Sequence, residues 1–413
     1  MKILFLDQFS EFGGAQQTLL DTVEAVQRNG WQAHVLLPRC GPLLEKLQSL
    51  GVPVGEISCG PYHAGNKTTA DSVRFVLDLP RQIRAIHTAA AQNYFDLIYV
   101  NGPRLMPAAA LASRGTRVVY HAHSHVYGMA ARLLRWGIRR TQATLIGCSS
   151  SVLEPIRQCM DGHPVHVVSN GVRDVGYREC DFGSGGTWRI GIIGRIAPDK
   201  GQLEFAGAAS ILARELPAAK FVICGAPQFG ESSRYSDVVR PQTRGLPVEF
   251  MPWQRDVGPV LRGLDLLIVP SKREGMARII VEAFSAGVPV VAFPAGGIPE
   301  VVLDGETGFL TREFSIAALA SRIREVIDAP EQLQRVASNA RQAWARLYAL
   351  STYQECITRL IEQVASPAEL ETETLQQRIQ RRPRSEQADI RSAPASRQRS
   401  PRRWLGRRTS PEN

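Results

Sequence analysis

The sequence predicts an α/β protein made of two similar doubly wound domains, each with a parallel sheet. The chain has 413 residues, which is more than a single hydrophobic core usually organises. Short runs rich in Val, Ile and Leu recur along it, with helical patterns between them. Continuous apolar runs are typical of parallel strands buried on both faces, and their alternation with helices indicates βαβ units.

Eleven of these runs are predicted strands, and they fall into two groups. The break between the groups contains the turn signal Asn170-Gly171 and the polar, glycine-rich segment 182–187. We therefore predict domains at 1–180 and 181–345, joined by a hinge. The predicted strands are Ile3–Leu6, Ala33–Leu37, Leu97–Val100, Val118–Tyr120, Ala143–Gly147, Val165–Val168, Trp188–Ile193, Phe221–Cys224, Val248–Met251, Leu266–Val269 and Val288–Ala292.

The last part of the chain differs from both predicted domains. A helical pattern without strands runs from Glu331 to Val364, and its final part, 346–365, is predicted as a separate helix. Residues 366–413 are polar and arginine-rich, so they cannot bury enough apolar surface to offset their ordering entropy, and we predict a disordered basic tail. Between Arg378 and Arg408, eleven arginines lie against two acids, and this local excess of positive charge accounts for most of the formal charge of +10.

Composition favours a cytoplasmic protein over a secreted or membrane-spanning one. Hydrophobic residues make up 44% and charged residues 21% of the chain, as is usual for globular proteins. The first apolar run is cut off by Asp7, and no run reaches the roughly 18 apolar residues of a membrane span. The seven cysteines are widely spaced without a C-x-x-C pair, so we expect neither disulfides nor a zinc site.

Two glycine-containing segments follow predicted strands and could hold phosphate. Gly13-Gly14-Ala15 precedes a helical stretch, and a helix N-terminus attracts anions; a tight turn without a ligand explains it equally well. Segment 194–201 follows the first strand of the second domain, where ligands bind in such sheets. Its Arg195 and Lys200 would form a cationic clamp for a diphosphate, and the alternative is two solvated loop charges.

A third segment combines two acids with a predicted helix start. Glu274 lies in a loop after the strand Leu266–Val269, and Glu282 lies roughly two turns, or about 11 Å, further along. The two carboxylates therefore cannot act on one bond, but they could contact a sugar and a ribose of one long ligand. Backbone N–H groups near 276–278 would face the phosphates between them. Two glutamates eight positions apart are common by chance, so this spacing alone is a weak indication of a binding site.

Two further candidate segments lie at the carboxyl ends of predicted strands. Gly296-Gly297-Ile298-Pro299-Glu300 is a glycine-rich turn into a helix, with ligand binding and a plain turn equally favoured. The segment 121–125 carries three alternating histidines. Without a nearby carboxylate or cysteine cluster a metal site is disfavoured, so we expect a histidine that hydrogen-bonds a substrate in the cleft.

Together these segments resemble glycosyltransferase family 4, a group of retaining enzymes with the GT-B fold. Residues 194–201 match the family's G-R-hydrophobic-x-x-x-K-G segment, and 274–300 match its E-G…E-A…G-x-P-V-V-A…G-G-x-P-E block. Gly13-Gly14-Ala15 matches its N-terminal glycine loop. The resemblance covers about residues 1–365, and it implies two Rossmann-like domains facing each other across a cleft, with a C-terminal helix that crosses back to the first domain.

The resemblance also implies roles for particular residues. Glu274 would contact the transferred sugar, and His123 would touch it from the first domain, with His121 as the alternative. Glu282 would hold the ribose, and Ala277 stands where many members have Gly or Pro. The implied donor-binding residues are Gly14, Arg195, Lys200, Gly275, Met276, Ala277 and Glu282.

The implied reaction moves a sugar from a nucleotide-diphosphate donor to a glycan or lipid-linked acceptor, with retention of configuration. The donor's phosphate would accept the acceptor's proton, and neither a metal nor another cofactor is expected, since the chain has no D-x-D. Synthesis of cell-envelope glycan or exopolysaccharide is the expected setting. The alternatives are a GT-B epimerase or phosphorylase, and a catalytically silent nucleotide-sugar-binding protein.

Two basic segments suggest contact with the inner face of the cell membrane. Residues 402–408 of the tail mix arginines with Trp404 and Leu405, and residues 129–140 form a basic amphipathic stretch in the first domain. A solvated tail and an exposed helix face explain them equally well. Nucleic acid is not expected, because no nucleic-acid-binding fold accompanies the tail.

Overall fold

The computed structural model describes residues 1–60, 68–157, 162–179, 182, 187–227 and 230–365, apart from the side chains of 230–234. All of them belong to one compact unit. The predicted tail 366–413, most of segment 182–187, and Cys159 and Cys180 lie outside the described residues.

A seven-stranded parallel sheet forms the first half of the chain. Its strand order is β3-β2-β1-β4-β5-β6-β7, so the first strand in sequence lies in the interior of the sheet, between β2 and β4. This order reverses direction between β1 and β4, and ligands bind at such a point in doubly wound sheets. The strands are β1 (Lys2–Asp7), β2 (Gln32–Leu37), β3 (Val54–Glu56), β4 (Leu97–Asn101), β5 (Arg117–Ala122), β6 (Thr144–Gly147) and β7 (Val165–Val167).

A six-stranded parallel sheet forms the second half and repeats this topology. Its order is β10-β9-β8-β11-β12-β13, with the reversal between β8 and β11. Both halves are therefore Rossmann-like, and the GT-B class predicted from the motifs is confirmed. The strands are β8 (Arg189–Ile193), β9 (Lys220–Cys224), β10 (Val248–Met251), β11 (Leu266–Val269), β12 (Val290–Ala292) and β13 (Phe309–Leu310).

Helices cover the sheets and connect the parallel strands. Three single turns supplement them: two 3₁₀ turns at Pro103–Leu105 and Pro198–Lys200, and a π-helical turn at Trp344–Tyr348. The helices are α1 (Gly14–Arg28), α2 (Pro42–Ser49), α3 (Thr69–Gln92), α4 (Met106–Ala112), α5 (Gly128–Thr141), α6 (Ser150–Arg157), α7 (Gln202–Glu215), α8 (Gly230–Gln242), α9 (Gly258–Arg262), α10 (Arg278–Ala286), α11 (Ile298–Val301), α12 (Ile316–Ile327), α13 (Pro330–Ala343) and α14 (Leu350–Ala365).

All eleven predicted strands are present, and their buried apolar residues form the cores. Phe5 and Tyr99 of the first sheet and Phe221 of the second are fully buried. Burying one such side chain contributes about 1.5–3 kcal/mol. Strands β3 and β13, which the sequence analysis missed, have three and two residues at sheet edges. Their apolar runs are too short for a periodicity to show.

The C-terminal helix returns to the first half, as the resemblance implied. The Tyr353 hydroxyl of α14 lies 2.6 Å from the Thr22 hydroxyl of α1, and both side chains are buried. Gln354 donates to the Asp21 carbonyl and accepts a hydrogen bond from Arg28. These bonds join α14 to the first helix of the chain.

None of the helices among the described residues combines the length and the apolar character that crossing a bilayer requires. The five described cysteines are free thiols.

Candidate active site

A cavity of about 550 Å³ lies between the carboxyl ends of the two sheets. The first half contributes the loops after β1, β4 and β5, and the second half contributes those after β8, β9, β10 and β11. The cavity therefore lies at the topological reversal of both sheets at once. Its lining includes Glu274, His123 and all the implied donor-binding residues, but not the alternative His121. These lining residues are Gly14, His123, Arg195, Lys200, Glu274, Gly275, Met276, Ala277 and Glu282.

The two candidate cations lie on one tight turn after β8. The Arg195 guanidinium donates to both carboxylate oxygens of Asp199 at 3.0–3.1 Å, and the Lys200 ammonium pairs with Glu274. Gly201 ends the turn with a φ of +80°, and any Cβ there would collide with the Pro270 carbonyl. Glycine is thus required for the turn to approach the β11 loop, which brings Lys200 to Glu274.

The loop that carries Glu274 is held by the second glycine-rich turn. The Gly297 N–H donates to the Glu274 carbonyl at 3.1 Å. A side chain at Gly296 would collide with that carbonyl, and one at Gly297 with the Gly275 carbonyl. The Glu274 side chain is only 10% exposed. The turn at 296–297 therefore acts as a support for the Glu274 loop.

Helix α10 begins at the cavity floor. Ala277 precedes its first residue, Arg278, in an extended conformation and without a side-chain cap. The Ile280 N–H donates to the Ala277 carbonyl at 3.0 Å, so a ligand at this helix start would meet the N–H groups of Arg278 and Ile279. Glu282 lies in the second turn and reaches the cavity wall. Burial raises the pKa of Glu282, and Arg278 partly opposes that shift. Glu274 before the helix and Glu282 along it thus line different parts of one cavity.

Helix α1 begins on the opposite wall. Gly13 precedes it in an extended conformation with no side-chain cap, and Gly14 is its first residue. A Cβ at Gly14 would stand 3.4 Å from Cδ of Arg278 in the second half. The two helix starts therefore face the same cavity from opposite halves, and a larger residue at position 14 would press on Arg278.

His123 ends a buried hydrogen-bond chain. The Asn101 side-chain amide donates to Asp7 at 2.5 Å and to the Ala15 carbonyl at 3.3 Å, so its oxygen must accept from His123 Nε2 at 2.7 Å. Burial, with a smaller effect of Arg278, lowers the pKa of His123 to about 3, so the ring is neutral. Its Nδ1 is buried and has no hydrogen-bond partner among the described residues. Nδ1 is therefore an acceptor.

The alternative histidine lies further from the cavity. His121 is fully buried in β5, and its Nδ1 lies 2.6 Å from the Tyr99 hydroxyl. It does not belong to the cavity lining, whereas His123 does. His121 packs against His123, with ring centroids 4.0 Å apart. The geometry thus favours His123 over His121 as the residue that meets a ligand.

Polar bonds cross the cleft between the halves. Arg278 pairs with Asp21 of α1 at 3.3 Å, and their side chains are 12% and 2% exposed. The Glu300 carboxylate accepts hydrogen bonds from the Ser150 and Ser151 N–H groups at the start of α6. Glu300 thereby caps a helix of the other half, so the described structure is a closed arrangement.

The sequence analysis missed four residues of this site. Asp7 and Asn101 end strands β1 and β4, and polar residues at the carboxyl ends of parallel strands were a usable signal for both. Arg278 was considered only through its backbone, and Trp253, which follows β10, was not among the candidates. Trp253 is half exposed and lines the cavity. No local pattern indicated either contact.

Family models match both halves of the chain. The model described as "Glycosyltransferase Family 4" matches residues 12–174, and "Glycosyl transferases group 1" matches residues 183–343. The second match contains the Arg195, Lys200, Glu274 and Glu282 segments.

Individual proteins are also similar. A Bacillus subtilis protein named as the glycosyltransferase EpsD is 21% identical over 79% of this chain and 88% of its own length. The capsular polysaccharide biosynthesis glycosyltransferase CapM of Staphylococcus aureus is 26% identical over 37% of this chain and 40% of its length. HepE of Anabaena, solved in complex with UDP, is 26% identical, with a TM-score of 0.75, over 88% of this chain and 100% of that one; it was also solved with UDP-glucose.

Proposed function

The chain belongs to glycosyltransferase family 4, and from that premise we propose that it transfers a hexosyl group from a UDP-sugar to a glycan or lipid-linked acceptor with retention of configuration. The observation that carries the proposal is the cavity itself, in which two cations and two uncapped helix starts converge. A diphosphate is the ligand that such an arrangement fits. UDP as the nucleotide is supported by the likeness to HepE, which was solved with UDP and UDP-glucose.

The diphosphate would bind between Arg195, Lys200 and the start of α10. In the structure both cations have carboxylate partners, Asp199 and Glu274. Phosphate oxygens would replace those partners, because a diphosphate offers more charge and accepts several bonds at once. Lys200 would then neutralise charge on the departing diphosphate, the step at which electrostatic stabilisation contributes most to such a reaction.

When the Lys200 ammonium binds a phosphate oxygen, the Glu274 carboxylate would lose its ion pair and could contact the transferred sugar. Glu282 would accept hydrogen bonds from the ribose hydroxyls at the other end of the cavity. The half-exposed Trp253 offers an aromatic face for the uracil ring. Each role follows from where the side chain meets the cavity, and together they order the donor as sugar, diphosphate, ribose and base.

His123 would orient the sugar from the opposite half. Its Nε2 proton is held by Asn101, so the free Nδ1 can accept a hydrogen bond from a sugar hydroxyl. A neutral histidine leaves the diphosphate as the base. The β-phosphate oxygen that leaves the sugar would take the acceptor hydroxyl's proton on the same face, which preserves the anomeric configuration.

Metal-free catalysis belongs to the same proposal. Arg195, Lys200 and the helix starts would supply the positive potential that a divalent ion supplies in other transferases. Turnover that is unchanged by EDTA is the expected result. Activity that is lost with EDTA and restored by Mg²⁺ or Mn²⁺ would contradict it.

For the cellular setting we propose synthesis of a surface polysaccharide at the inner face of the membrane. CapM, a capsular polysaccharide enzyme by its name, supports the pathway class. The arginine-rich segment 366–413 would add attraction to anionic lipid. Flotation of the full chain against a chain ending at residue 370 tests that contribution; equal, negligible binding by both would refute it.

A donor panel tests the enzymatic proposal. The chain is incubated with UDP-, GDP- and ADP-sugars, with and without acceptor extract, and nucleotide release is measured. Acceptor-dependent release of UDP with an α-linked product from an α-linked donor is expected. Conversion of the donor without acceptor would indicate an epimerase, phosphate-dependent release a phosphorylase, and calorimetric binding without turnover a silent binding protein.

A further inference from the structure

One face of α5 gathers cations around an exposed tryptophan. Arg132, Arg135, Trp136, Arg139 and Arg140 follow the spacing i, i+3, i+4, i+7, i+8, which places them on one side of a helix. They line a shallow concavity of about 580 Å³ on the protein surface. The opposite side of the helix is buried through Ala131, Leu134, Gly137 and Ile138. We call the outward side the α5 face.

The sequence around this face contains no acid. From Leu97 to Leu153 there are seven arginines and neither Asp nor Glu. Salt-bridged helix surfaces usually alternate the two signs, so this stretch departs from the pattern of an ordinary solvated face. The Arg140 guanidinium lies 6.0 Å above the Trp136 ring and also donates to the Ala110 carbonyl. The positive charge is therefore fixed beside an aromatic ring.

Apolar side chains continue the α5 face towards the cavity. Trp136 is 43% exposed, Met129 63% and Tyr127 64%. Tyr127 directly precedes α5, and the loop before it carries His123 and Ser124, which line the cavity. A ligand surface in contact with the α5 face would therefore lie beside one edge of the proposed active site.

We propose that the α5 face docks on an anionic phospholipid surface. Arginine forks bind phosphate oxygens in pairs, and each basic residue near such a surface strengthens binding by about 1 kcal/mol. Tryptophan and tyrosine favour the headgroup region, and methionine adds apolar area to insert. Cations and apolar groups on one helix side fit a lipid surface better than a nucleic-acid duplex, which would use the cations alone. A single strand could also stack on the aromatic rings, so its binding is measured in the test.

The inference rests on the proposed function in one respect: a lipid-linked acceptor would then reach the cavity without leaving the membrane. Docking would orient the acceptor side of the cleft towards the bilayer. It involves residues of α5 together with Tyr127, and none of these residues lines the cavity. Membrane docking and donor binding can therefore be measured separately.

Sedimentation with vesicles tests the proposal. The vesicles are equal parts phosphatidylglycerol and phosphatidylcholine, with pure phosphatidylcholine as reference. Replacing Arg132, Arg135 and Arg139 with Gln removes three charges from the α5 face. The matched control replaces the exposed Arg214, Arg244 and Arg335 of the second half with Gln. Each of the three proteins is measured in two forms. One is the full-length chain, and the other ends at residue 365, which removes the basic tail.

In the shorter chain the α5 variant should bind the anionic vesicles about 100-fold more weakly, while the control changes less than threefold. Equal loss in both triple variants, or loss in neither, would overturn the proposal. The proposal would also be overturned if the α5 variant lost binding to a single-stranded RNA oligonucleotide but kept its binding to the vesicles. The affinity for UDP is measured separately by calorimetry and is expected to be the same in all variants. If no protein binds UDP, the proposed donor is refuted, whereas the membrane proposal is not affected.

Discussion

At the scale of single residues, each candidate phosphate-binding cation of the site is paired with a carboxylate. Lys200 pairs with Glu274, and Arg195 pairs with Asp199. Each pair has one member predicted to bind phosphate, and in the structure its charge is compensated by a neighbouring carboxylate. In the proposed reaction, donor binding would replace these carboxylate partners with phosphate oxygens.

Removing the ammonium tests this exchange. Lys200→Ala should lower kcat/KM about 10²- to 10³-fold, because a positive group facing the departing diphosphate is lost. Unfolding free energy should fall by only about 1–2 kcal/mol, because the pair borders the open cavity. Steady-state kinetics and urea unfolding measure the two effects. Lys272→Ala is the matched control, since Lys272 pairs with Glu204 outside the cavity lining; similar kinetic losses in both variants would contradict the clamp.

Asp7, which is linked to His123 through Asn101, has a carboxyl group with a raised pKa. Burial raises the pKa of Asp7 to about 7, although hydrogen bonds from Asn101, the Phe9 N–H, Gln16 and the Gln8 N–H oppose the shift. The unfolded chain releases this proton near pH 3.8. Between that pH and about 7 the folded state binds more protons, so the contribution of Asp7 to stability falls as pH rises and is constant above about 7.

Asp7→Asn should remove this pH dependence. The change is measured as the difference between the two proteins in unfolding free energy at pH 5 and at pH 8. The wild type should lose more stability across that interval than the variant, because only the wild type must ionise a buried carboxyl group. Parallel pH profiles of stability would show that Asp7 has an ordinary pKa.

At the scale of elements, a loop of one half completes a helix of the other. Helix α6 begins at Ser150, and its first N–H groups donate to Glu300, which belongs to α11 in the second half. A carboxylate at a helix N-terminus satisfies donors that have no partner within the helix and interacts favourably with its dipole. Glu300 therefore links the glycine turn behind Glu274 to the first domain.

Glu300→Ala should release the start of α6. We expect a loss of about 1–2 kcal/mol in unfolding free energy, the range of a lost helix cap, and faster amide exchange in residues 150–157 by mass spectrometry. Glu313→Ala serves as the control, because Glu313 is an exposed acid of the same half. If the two variants exchange at the same rate, the cap across the cleft does not form in solution.

At the scale of the whole molecule, closure of the two halves is held by a buried ion pair. Arg278 and Asp21 are nearly inaccessible, and burial raises the pKa of Asp21 while Arg278 lowers it. Arg278 also donates to Thr18 of α1. Losing the cation would leave a buried carboxylate without its countercharge, which costs more than the intact pair gains.

A double-mutant cycle tests this link. Arg278→Gln should destabilise the closed form, lower the unfolding free energy by about 3–5 kcal/mol and raise the radius of gyration in X-ray scattering. Asp21→Asn in the same chain should recover part of the loss, giving a coupling energy of about 0.5–3 kcal/mol. Additive effects of the two substitutions, with unchanged scattering, would show that the pair does not join the halves.

The sequence determined the fold class, eleven of the thirteen described strands and the family, because buried parallel strands and phosphate-binding turns leave local patterns. It also indicated the residues on the second half's side of the cavity, which lie within short motifs such as 194–201 and 274–282. Contacts between distant segments leave no such pattern. Only the tertiary structure decided between His123 and His121, gave Arg278 and Glu300 their partners in the other half, and joined Asp7 to Asn101. Arg278 and Glu300 reach their partners because the two sheets align their carboxyl ends, whereas Asp7 and Asn101 meet because β1 and β4 are neighbours in one sheet. Both arrangements are set by packing over the whole chain.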